Sequence, residues 1–268
     1  MLFAVIGHPV AHSLSPLLHS ISFKMVGIRA TYVKVDVPPE RLEDFMKSAD
    51  LVFKGLNVTI PHKVEVLKYV DEEDELVREV GAANVLKFED GKVFAYNTDV
   101  IGVRMSIEDV INPKGLKVAV LGAGGAARAA VVAFKDVAKV TIFNRTVERA
   151  AALASEFGAE YSSLKDIEKI REHDIIINAT PVGMDGASSP VPPEALRKGQ
   201  VVMDMVYRPL YTPLLKMAMV NGAKAVNGLK MLVIQGVESE RLWLGRAPPW
   251  REVYEKLLAS LTSPSYNP

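Results

Sequence analysis

Short apolar runs alternate with amphipathic stretches along most of the chain, and this alternation restricts the fold more than any other feature. The runs LFAVIG (2–7), KVAVLG (117–122) and VVMDMVY (201–207) have the length and composition of buried strands. Between such runs lie segments whose apolar residues recur at helical spacing. Strands that alternate with helices pair in parallel through right-handed crossovers. The sequence therefore predicts an α/β fold.

A change of unit near residue 100 predicts two domains, residues 1–100 and residues 101–236. The helical segment DVIGVRMSIEDVI (99–111) lies at the junction as a hinge or bridge. Helices within residues 237–268 are expected to rejoin the first domain, because the second already has a full set of strands by about residue 230. The tail SPSYNP (263–268) is expected to be disordered.

A glycine-rich loop at residues 122–127, GAGGAA, directly follows a strand and directly precedes a helix. Gly122 permits a tight turn, Gly124 lets a pyrophosphate approach the backbone, and the small Ala127 lets the helix pack close to the strand. The N–H groups of the helix N-terminus then face the phosphates. A glycine turn without a ligand is the alternative, but the strand, loop and helix together favour a dinucleotide site.

The segment Asn144-Arg145-Thr146 stands where NAD enzymes carry an Asp or Glu that binds the ribose 2′-hydroxyl. Arg145 can instead pair with a 2′-phosphate, although it could also be an ordinary surface cation. We therefore predict NADP rather than NAD. Thr180-Pro181 and Met205-Val206 end later strands and could line the nicotinamide pocket or belong to the core.

Composition excludes several other classes of protein. The chain has no cysteine, so disulfides, thiolate metal sites and cysteine nucleophiles are ruled out. Its five histidines show no metal-ligand spacing, and no metal is expected. The 32 basic residues balance 32 acidic ones, which gives no indication of nucleic-acid binding. Without a signal peptide or a membrane-length apolar run, we expect a cytoplasmic protein with no membrane partner.

Four polar clusters lie at the ends of predicted elements in the first domain: SLS (13–15), NVTIPHK (57–63), GAAN (81–84) and NTD (97–99). Ser13 and Ser15 could bind a carboxylate, but the spacing fits a helix cap better. Asn57 and Thr59 share one strand face, which is unusual for a buried strand unless a ligand or network satisfies it. Pro61 is predicted to begin a helix.

Lys63, just inside that predicted helix, and Asp99 are suited to alcohol–ketone chemistry. Hydride transfer needs a partner that gives or takes the hydroxyl proton, and a lysine with a carboxylate beside it can do so. For Asp99 a helix cap is about as good an interpretation as a ligand role. The sequence alone does not show that the two side chains converge.

Taken jointly, the motifs resemble the NADP-dependent shikimate dehydrogenase family, in the family's order and over residues 1 to about 240. They are SLSP (13–16), NVTIPHK (57–63), GAAN (81–84), YNTD (96–99), GAGGAARA (122–129), NRT (144–146), NATPVGM (178–184), DMVYRPLYTPLL (204–215) and NGLKMLVIQG (227–236). The resemblance implies an N-terminal α/β substrate-binding domain, a C-terminal Rossmann-type domain and a cleft between them. It also implies reversible reduction of 3-dehydroshikimate to shikimate with NADPH, in aromatic amino-acid biosynthesis.

The resemblance also implies residue roles. Lys63 would be the proton donor and acceptor, with Asp99 paired to it, and Ser13 and Ser15 would hold the substrate carboxylate. The other implied substrate residues are Asn57, Thr59, Asn84, Asp99, Tyr207 and Gln235. The implied NADP residues are Gly122, Ala123, Gly124, Gly125, Ala126, Asn144, Arg145, Thr146, Arg149, Met205 and Gly228.

Departures from the family pattern at Ala83, Val85 and Val100 remove no catalytic group. A quinate/shikimate dehydrogenase of broader specificity is the nearest alternative, and a non-catalytic sensor of NADP or ring acids is the second. The sensor would be expected to have lost Lys63 or Asp99, and both are present. We expect a monomer or a homodimer that binds a small molecule.

Overall fold

The structure is a computed structural model that describes residues 1–263; residues 264–268, and with them most of the predicted disordered tail, lie outside the described residues. The described chain divides into two compact units. Residues 1–98, together with those described after residue 232, form unit 1, and residues 99–232 form unit 2. The boundaries predicted from the sequence fall after residues 100 and 236.

The elements of unit 1 come from both ends of the chain. The N-terminal part contains β1 Leu2–Gly7, α1 Ser15–Met25, β2 Thr31–Asp36, α2 Leu42–Met46, α3 Ala49–Val52, β3 Gly55–Val58, β4 Glu72–Glu73, α4 Glu75–Val80, β5 Val85–Glu89 and β6 Lys92–Tyr96. Unit 2 contains α5 Asp99–Glu108, β7 Lys117–Leu121, α6 Gly125–Phe134, β8 Lys139–Asn144, α7 Val147–Phe157, β9 Glu160–Ser163, α8 Ile167–Arg171, β10 Ile175–Asn178, β11 Val201–Asp204, α9 Pro213–Val220 and β12 Lys224–Val226. Helix α10, Gly228–Leu244, begins in unit 2 and ends in unit 1, where α11, Trp250–Thr262, follows.

The sheet of unit 1 is mixed, in the order β2-β1-β3-β5-β6-β4. Strand β1 is parallel to β2 and β3, and β4 is parallel to β6. Strand β5 runs antiparallel to both of its neighbours, β3 and β6. Alternation along β1 sends Ala4 and Ile6 into a core with helices α2 and α3, and Phe3 and Val5 into a second core with α1 and α10. Helices therefore cover both faces, as the predicted α/β class requires.

The sheet of unit 2 is parallel throughout, in the order β12-β11-β10-β7-β8-β9. This is the doubly wound order in which the chain reverses direction between β7 and β10. Because ligands of such sheets bind at the carboxyl ends of strands beside that reversal, the loop after β7 is placed as the glycine motif predicts. The predicted Rossmann-type domain is confirmed.

One local prediction is wrong: Lys63 does not lie in a helix. Residues 60–64 form turns, and a short 3-10 helix begins only at Glu65. The reason is a long-range bond, because the carbonyl of Lys63 accepts from the N–H of Ala83 at 2.8 Å instead of from a later residue of a helix. His62 is buried and its Nε2 bonds to the carbonyl oxygen of Val37 at 2.7 Å, which also holds the turn.

Within residues 1–263, no helix is both long and apolar enough to cross a membrane. The same residues contain no cluster of three or more His, Cys, Asp or Glu side chains arranged to hold a metal ion.

Candidate active site

Strand register brings three of the four polar clusters of unit 1 to one end of its sheet. Asn57 pairs with Val85, and Val85 pairs with Tyr96. Because β3 and β6 end where β5 begins, Asn57, Asn84 and the residues after Tyr96 become neighbours although they are far apart in sequence. Residues of these three clusters therefore lie together at this end of the sheet.

Two buried asparagines are the centre of this arrangement. Asn57 accepts from the hydroxyl of Tyr32 at 2.6 Å, and its Nδ2 donates to the carbonyl of Asn84 at 3.3 Å and to Oγ of Ser239 at 3.0 Å. Asn84 accepts from the backbone N–H of Thr98 at 2.7 Å through Oδ1. Its Nδ2 donates to Oγ1 of Thr98 at 2.9 Å. Such a satisfied network gives each side chain a single orientation.

Helix α10 contributes the predicted substrate residue Gln235 to the same network. Its Oε1 accepts from Nδ2 of Asn84 at 3.3 Å, and it is buried. One turn later, Oγ of Ser239 donates to the carbonyl of Gln235 at 2.8 Å and lies 3.4 Å from Oγ1 of Thr98. The structure thus brings Gln235 together with Asn57 and Asn84, as the resemblance implies for one site.

Lys63 and Thr59 lie in the turn that follows β3, and both side chains are half-buried. The bond from the N–H of Ala83 places the backbone of Lys63 beside Asn84. Gly7 leaves the room that Thr59 occupies, since a Cβ at Gly7 would lie 2.4 Å from Cγ2 of Thr59. Partial exposure leaves these two side chains accessible to a small ligand.

The first cluster, at the start of α1, holds Ser13 and Ser15, which are both buried. Oγ of Ser13 donates to Oγ of Ser15 at 3.2 Å and accepts from its backbone N–H at 3.2 Å. The helix cap residue is Leu14, with no side-chain cap bond, and Ser15 is the first helical residue. The simple Ser15 cap that spacing favoured is therefore wrong, and the two hydroxyls instead form a pair.

Asp99 is the first residue of α5 and is buried. Its position follows from the residue before it, because Thr98 is held to Asn84 by both its backbone and its side chain. Asp99 therefore directly follows a residue that is fixed in the polar network of unit 1. The structure assigns Asp99 itself to unit 2.

The glycine loop of unit 2 has the form of a phosphate cradle. Gly122 has a φ of +116°, and a Cβ there would lie 2.9 Å from Cγ2 of Thr180. Gly124 caps α6 without a side-chain bond, and a Cβ there would meet nothing within 4 Å. The first N–H groups of a helix have no acceptor inside it, so this open N-terminus, lined by Ala123, Gly125 and Ala126, suits an anion.

The cationic part of the predicted cofactor site follows β8. Asn144 ends the strand, and its Nδ2 donates to the carbonyl of Thr146 at 2.8 Å, which fixes the turn. Arg145 is exposed in that turn, and Arg149 is exposed in the first turn of α7. Two exposed guanidinium groups on one turn fit a 2′-phosphate, whose bidentate contacts arginine matches well. The residues present therefore fit NADP.

A buried carboxylate fixes the loop after β11, which carries Met205 and Tyr207. Asp204 accepts from Asn178 at 2.9 Å, from the backbone N–H of Val206 at 3.0 Å and from Oγ1 of Thr212 at 2.6 Å. Burial raises the pKa of Asp204 to about 6, and these three bonds oppose that rise. The loop is thus held at both ends by one side chain.

Met205 and Gly228, two predicted cofactor residues, lie against each other in unit 2. A Cβ at Gly228 would lie 2.5 Å from the carbonyl oxygen of Met205, so only glycine permits this approach. Tyr207 lies two residues beyond Met205 and is half-buried. The start of α10 and the loop after β11 therefore form one local surface.

Two family models match the chain. The model of the shikimate dehydrogenase substrate binding domain matches residues 5–86, and the model of shikimate / quinate 5-dehydrogenase matches residues 103–184. A curated protein of Ignicoccus hospitalis named shikimate dehydrogenase (NADP(+)) is 69% identical over 97% of this chain and 100% of its own length. The chain belongs to the shikimate dehydrogenase family.

A second family member, named shikimate dehydrogenase (NADP(+)) in Methanocaldococcus jannaschii, is 45% identical over 91% of each chain. A solved shikimate dehydrogenase from Thermus thermophilus, in complex with NADP(H) and shikimate, is 38% identical and superposes with a TM-score of 0.91. That comparison covers 96% of this chain and 98% of the solved one. Sequence and fold therefore agree on the family.

Sequence reasoning missed several residues that hold the candidate site, among them Tyr32, Ser239 and Asp204. They lie in segments whose pattern is typical of ordinary strands or helices. Asn57, the partner of Tyr32 and Ser239, is 25 residues from the first and 182 residues from the second. The available signal was a polar pair, Ser239-Glu240, that follows Gln235 on a helix rich in apolar residues. Such a pair indicates a buried network.

Proposed function

We propose that this chain catalyses the reversible oxidation of shikimate to 3-dehydroshikimate with NADP+, releasing NADPH and a proton. The observation that carries the proposal is the 69% identity to a protein of that name over its entire length. Support comes from the intact polar network around Asn84 and from the exposed arginines after β8. When bound, NADP supplies the hydride acceptor or donor.

Lys63 is proposed as the group that takes the proton of the reacting hydroxyl and returns it in the reverse direction. A half-buried lysine whose backbone is fixed by Ala83 can present Nζ to a ligand without a large loss of side-chain freedom. We propose Asp99 as the carboxylate that orients the reacting hydroxyl and works with Lys63. Its burial limits competition from water for the same hydrogen bonds.

The substrate ring is proposed to bind through hydroxyl and amide groups of unit 1. Ser13 and Ser15 would donate to its carboxylate, since two hydroxyls beside a helix start are suited to an anion. The proposed partners of the ring hydroxyls are Thr59, Asn84, Gln235 and Asp99, with Asn57 behind them and Tyr207 completing the set.

NADP is proposed to bind to unit 2. Backbone N–H groups from Gly122 to Ala126 would hold the pyrophosphate, and Asn144, Arg145, Thr146 and Arg149 would hold the adenosine 2′-phosphate end. Met205 and Gly228 would contact the nicotinamide end. We further propose a cytoplasmic enzyme of aromatic amino-acid biosynthesis, acting as a monomer or a homodimer.

A cofactor-reduction assay tests the proposal, with shikimate and quinate each paired with NADP+ and NAD+. Rapid turnover confined to shikimate with NADP+ is the expected result. Comparable turnover with quinate or NAD+ would move the protein to the broader-specificity branch of the family. A folded protein that binds NADP+ but turns over no pairing would overturn the enzyme assignment in favour of a sensor.

A further inference from the structure

Five buried side chains of unit 1 form a closed loop of contacts, which we call the buried ring: Glu240, His19, Tyr32, Asn57 and Ser239. Nδ1 of His19 lies 2.6 Å from Oε1 of Glu240, and the imidazole stacks on Tyr32 with 4.1 Å between ring centroids. Tyr32 donates to Asn57 at 2.6 Å, and Asn57 donates to Ser239 at 3.0 Å. Ser239 precedes Glu240 in α10, which closes the ring.

Packing alone does not explain why a glutamate, Glu240, lies at this contact between two helices. It has no exposed surface, and a buried carboxylate costs several kcal/mol unless donors surround it, so an apolar pair would pack helices at least as well. Its donors are Nδ1 of His19 and Oγ of Ser22, three residues apart on α1. Such directional bonds fix the rotation and the shift of α1 against α10.

Close approach of the two helices depends on Gly236, one turn before Glu240. A Cβ at Gly236 would lie 3.0 Å from Cδ2 of Leu18 and 3.5 Å from Cε1 of His19. Nε2 of His19 is the one buried side-chain polar atom in residues 1–263 that lacks a hydrogen-bond partner. The imidazole is therefore held by Glu240 on one side and by its stack on Tyr32, with no other anchor on its ring nitrogens.

Three of the five members of the buried ring lie two or four residues from a proposed substrate residue on the same element or directly after it. His19 follows Ser15 by four residues on α1, and Ser239 follows Gln235 by four residues on α10. Thr59 follows Asn57 by two residues, directly after β3, and its N–H donates to the carbonyl of Ile6 at 2.9 Å. The ring thus ties together the three elements that carry Ser15, Thr59 and Gln235.

The amide of Asn57 shows what the ring does for the site. Both N–H bonds of its Nδ2 are directed at groups of the protein, the carbonyl of Asn84 and Oγ of Ser239. Its Oδ1 already accepts from Tyr32. Asn57 therefore fixes the ends of β3 and β5 to α10 more than it presents donors to a ligand.

We propose that the buried ring is a positioning device for the shikimate site, and that Glu240, His19, Tyr32 and Ser239 are positioning residues. This inference rests on the proposed function. Opening the ring at any one contact lets the elements that carry Ser15, Thr59 and Gln235 move relative to one another. The predicted consequence is weaker binding of shikimate, with NADP+ binding by unit 2 unchanged, because the ring lies wholly in unit 1.

The test uses the full-length enzyme with Tyr32→Phe, Ser239→Ala and Glu240→Gln, singly and in pairs. Each single variant is expected to raise KM for shikimate about 10-fold, the usual effect of one lost buried hydrogen bond, and to leave KM for NADP+ within about 2-fold. The decisive pair is Tyr32→Phe with Glu240→Gln, which change the bonds on either side of the stack of His19 on Tyr32. A second break in a ring that is already open should change KM for shikimate only a little. The KM of the double variant should therefore rise far less than the additive value of about 100-fold.

Ser106→Ala is the matched control. Ser106 is also a fully buried helical serine, and its Oγ donates to the carbonyl four residues earlier, at 2.7 Å, just as Ser239 does. It lies in unit 2, outside the ring, and its variant should leave KM for shikimate unchanged. An equal rise in both variants would show a general packing effect and overturn the proposal.

Two outcomes separate this inference from the proposed function. A wild-type enzyme without turnover of shikimate would refute the function, and the ring's role with it. An active wild type whose ring variants keep a normal KM, or whose double variant is additive, would refute the ring alone. If Glu240→Gln does not fold, the pair Tyr32→Phe and Ser239→Ala decides the same question, since both changes act on the bonds of Asn57.

Discussion

The two ligand sites of this protein are built in opposite ways. The proposed substrate site of unit 1 consists of side chains that bond to one another. Asn84, for example, bonds to both Thr98 and Gln235. The proposed cofactor site of unit 2 consists largely of backbone, in a loop where Gly124 leaves open space and Gly122 permits a close turn. One site depends on which side chains meet, and the other on which side chains are absent.

The difference determines how each site should respond to mutation. A network of buried polar groups transmits a change at one member to the rest, because each unsatisfied partner costs free energy. A backbone cradle fails locally, where a side chain adds strain or fills space. The effects of mutations in the network of unit 1 should therefore depend on one another. The effects of mutations in the glycine loop of unit 2 should be independent.

The largest effect is expected at Lys63, where unit 1 supplies chemistry as well as binding. Lys63→Ala should lower kcat by about 1,000-fold, the usual contribution of a general acid or base, with little change in KM for shikimate. Steady-state kinetics measures both constants. Lys68→Ala, an exposed lysine paired with Glu65 in the same segment, is the control. A kcat within 10-fold of wild type would remove Lys63 from the proposed mechanism.

The next effect concerns Asp204, the exception in unit 2, where a buried side chain holds a loop. Its pKa is raised to about 6 from 3.8, so the folded state binds more protons than the unfolded state between these values. Stability should therefore fall as pH rises from 4 to 6, by about 3 kcal/mol from this group. Asp204→Asn should remove that slope in urea unfolding measured across this range.

The control for Asp204 is Asp185→Asn in the same unit. Bonds from the side chain and backbone of Ser188 and from the backbone of Ala187 lower the pKa of Asp185 to about 2. Its stabilising contribution is present above pH 3.8 and lost as pH falls toward 2, which lies outside the test window. A slope that persists in Asp204→Asn would assign the pH dependence to another group.

Two glycine variants in unit 2 should separate the effect of backbone strain on stability from the effect of lost space on NADP+ binding. Gly122→Ala forces a φ of +116° on alanine and brings Cβ to 2.9 Å from Thr180. We expect a loss of about 1 to 3 kcal/mol in stability together with weaker NADP+ binding. Gly124→Ala, with open space around its Cβ, should weaken NADP+ binding alone.

Gly158→Ala is the control for strain without a ligand. Gly158 ends α7 at a φ of +66° with nothing near its Cβ, so its variant should lose stability and keep NADP+ affinity. Thermal unfolding and titration of NADP+ distinguish the three variants. Equal NADP+ affinity in all three variants would contradict the proposal that the glycine loop binds the phosphates of NADP+.

The smallest effect is expected at Arg145, whose exposure limits what its charge contributes. Arg145→Ala should weaken NADP+ binding about 10-fold and leave NAD+ binding almost unchanged, because only NADP+ carries the 2′-phosphate. Arg41→Ala, an exposed arginine of unit 1 paired with Asp44, is the control in the same titrations. Equal losses for both cofactors would show that Arg145 does not read the 2′-phosphate.

Sequence reasoning predicted unit 2 more completely than unit 1, for a physical reason. The glycine loop and the turn at Asn144 act within a few residues, so their local pattern carries their structure. The turn at Lys63 was predicted as a helix because its deciding bond comes from Ala83, twenty residues away. The sequence likewise predicts a cap at Ser15, although Leu14 occupies that position.

By itself, the sequence determined the α/β class, the Rossmann-type second unit and the family. It also predicted a glycine cradle with Arg145 and Arg149, and Lys63 and Asp99 as catalytic residues. Only the tertiary structure decided that Glu240 meets His19 across 221 residues, and that Ser239 and Tyr32 hold Asn57 from opposite sides. Periodicity reports whether a residue faces the core, and it does not report which polar groups meet there. That pairing depends on strand register and helix packing, which exist only once the chain has folded.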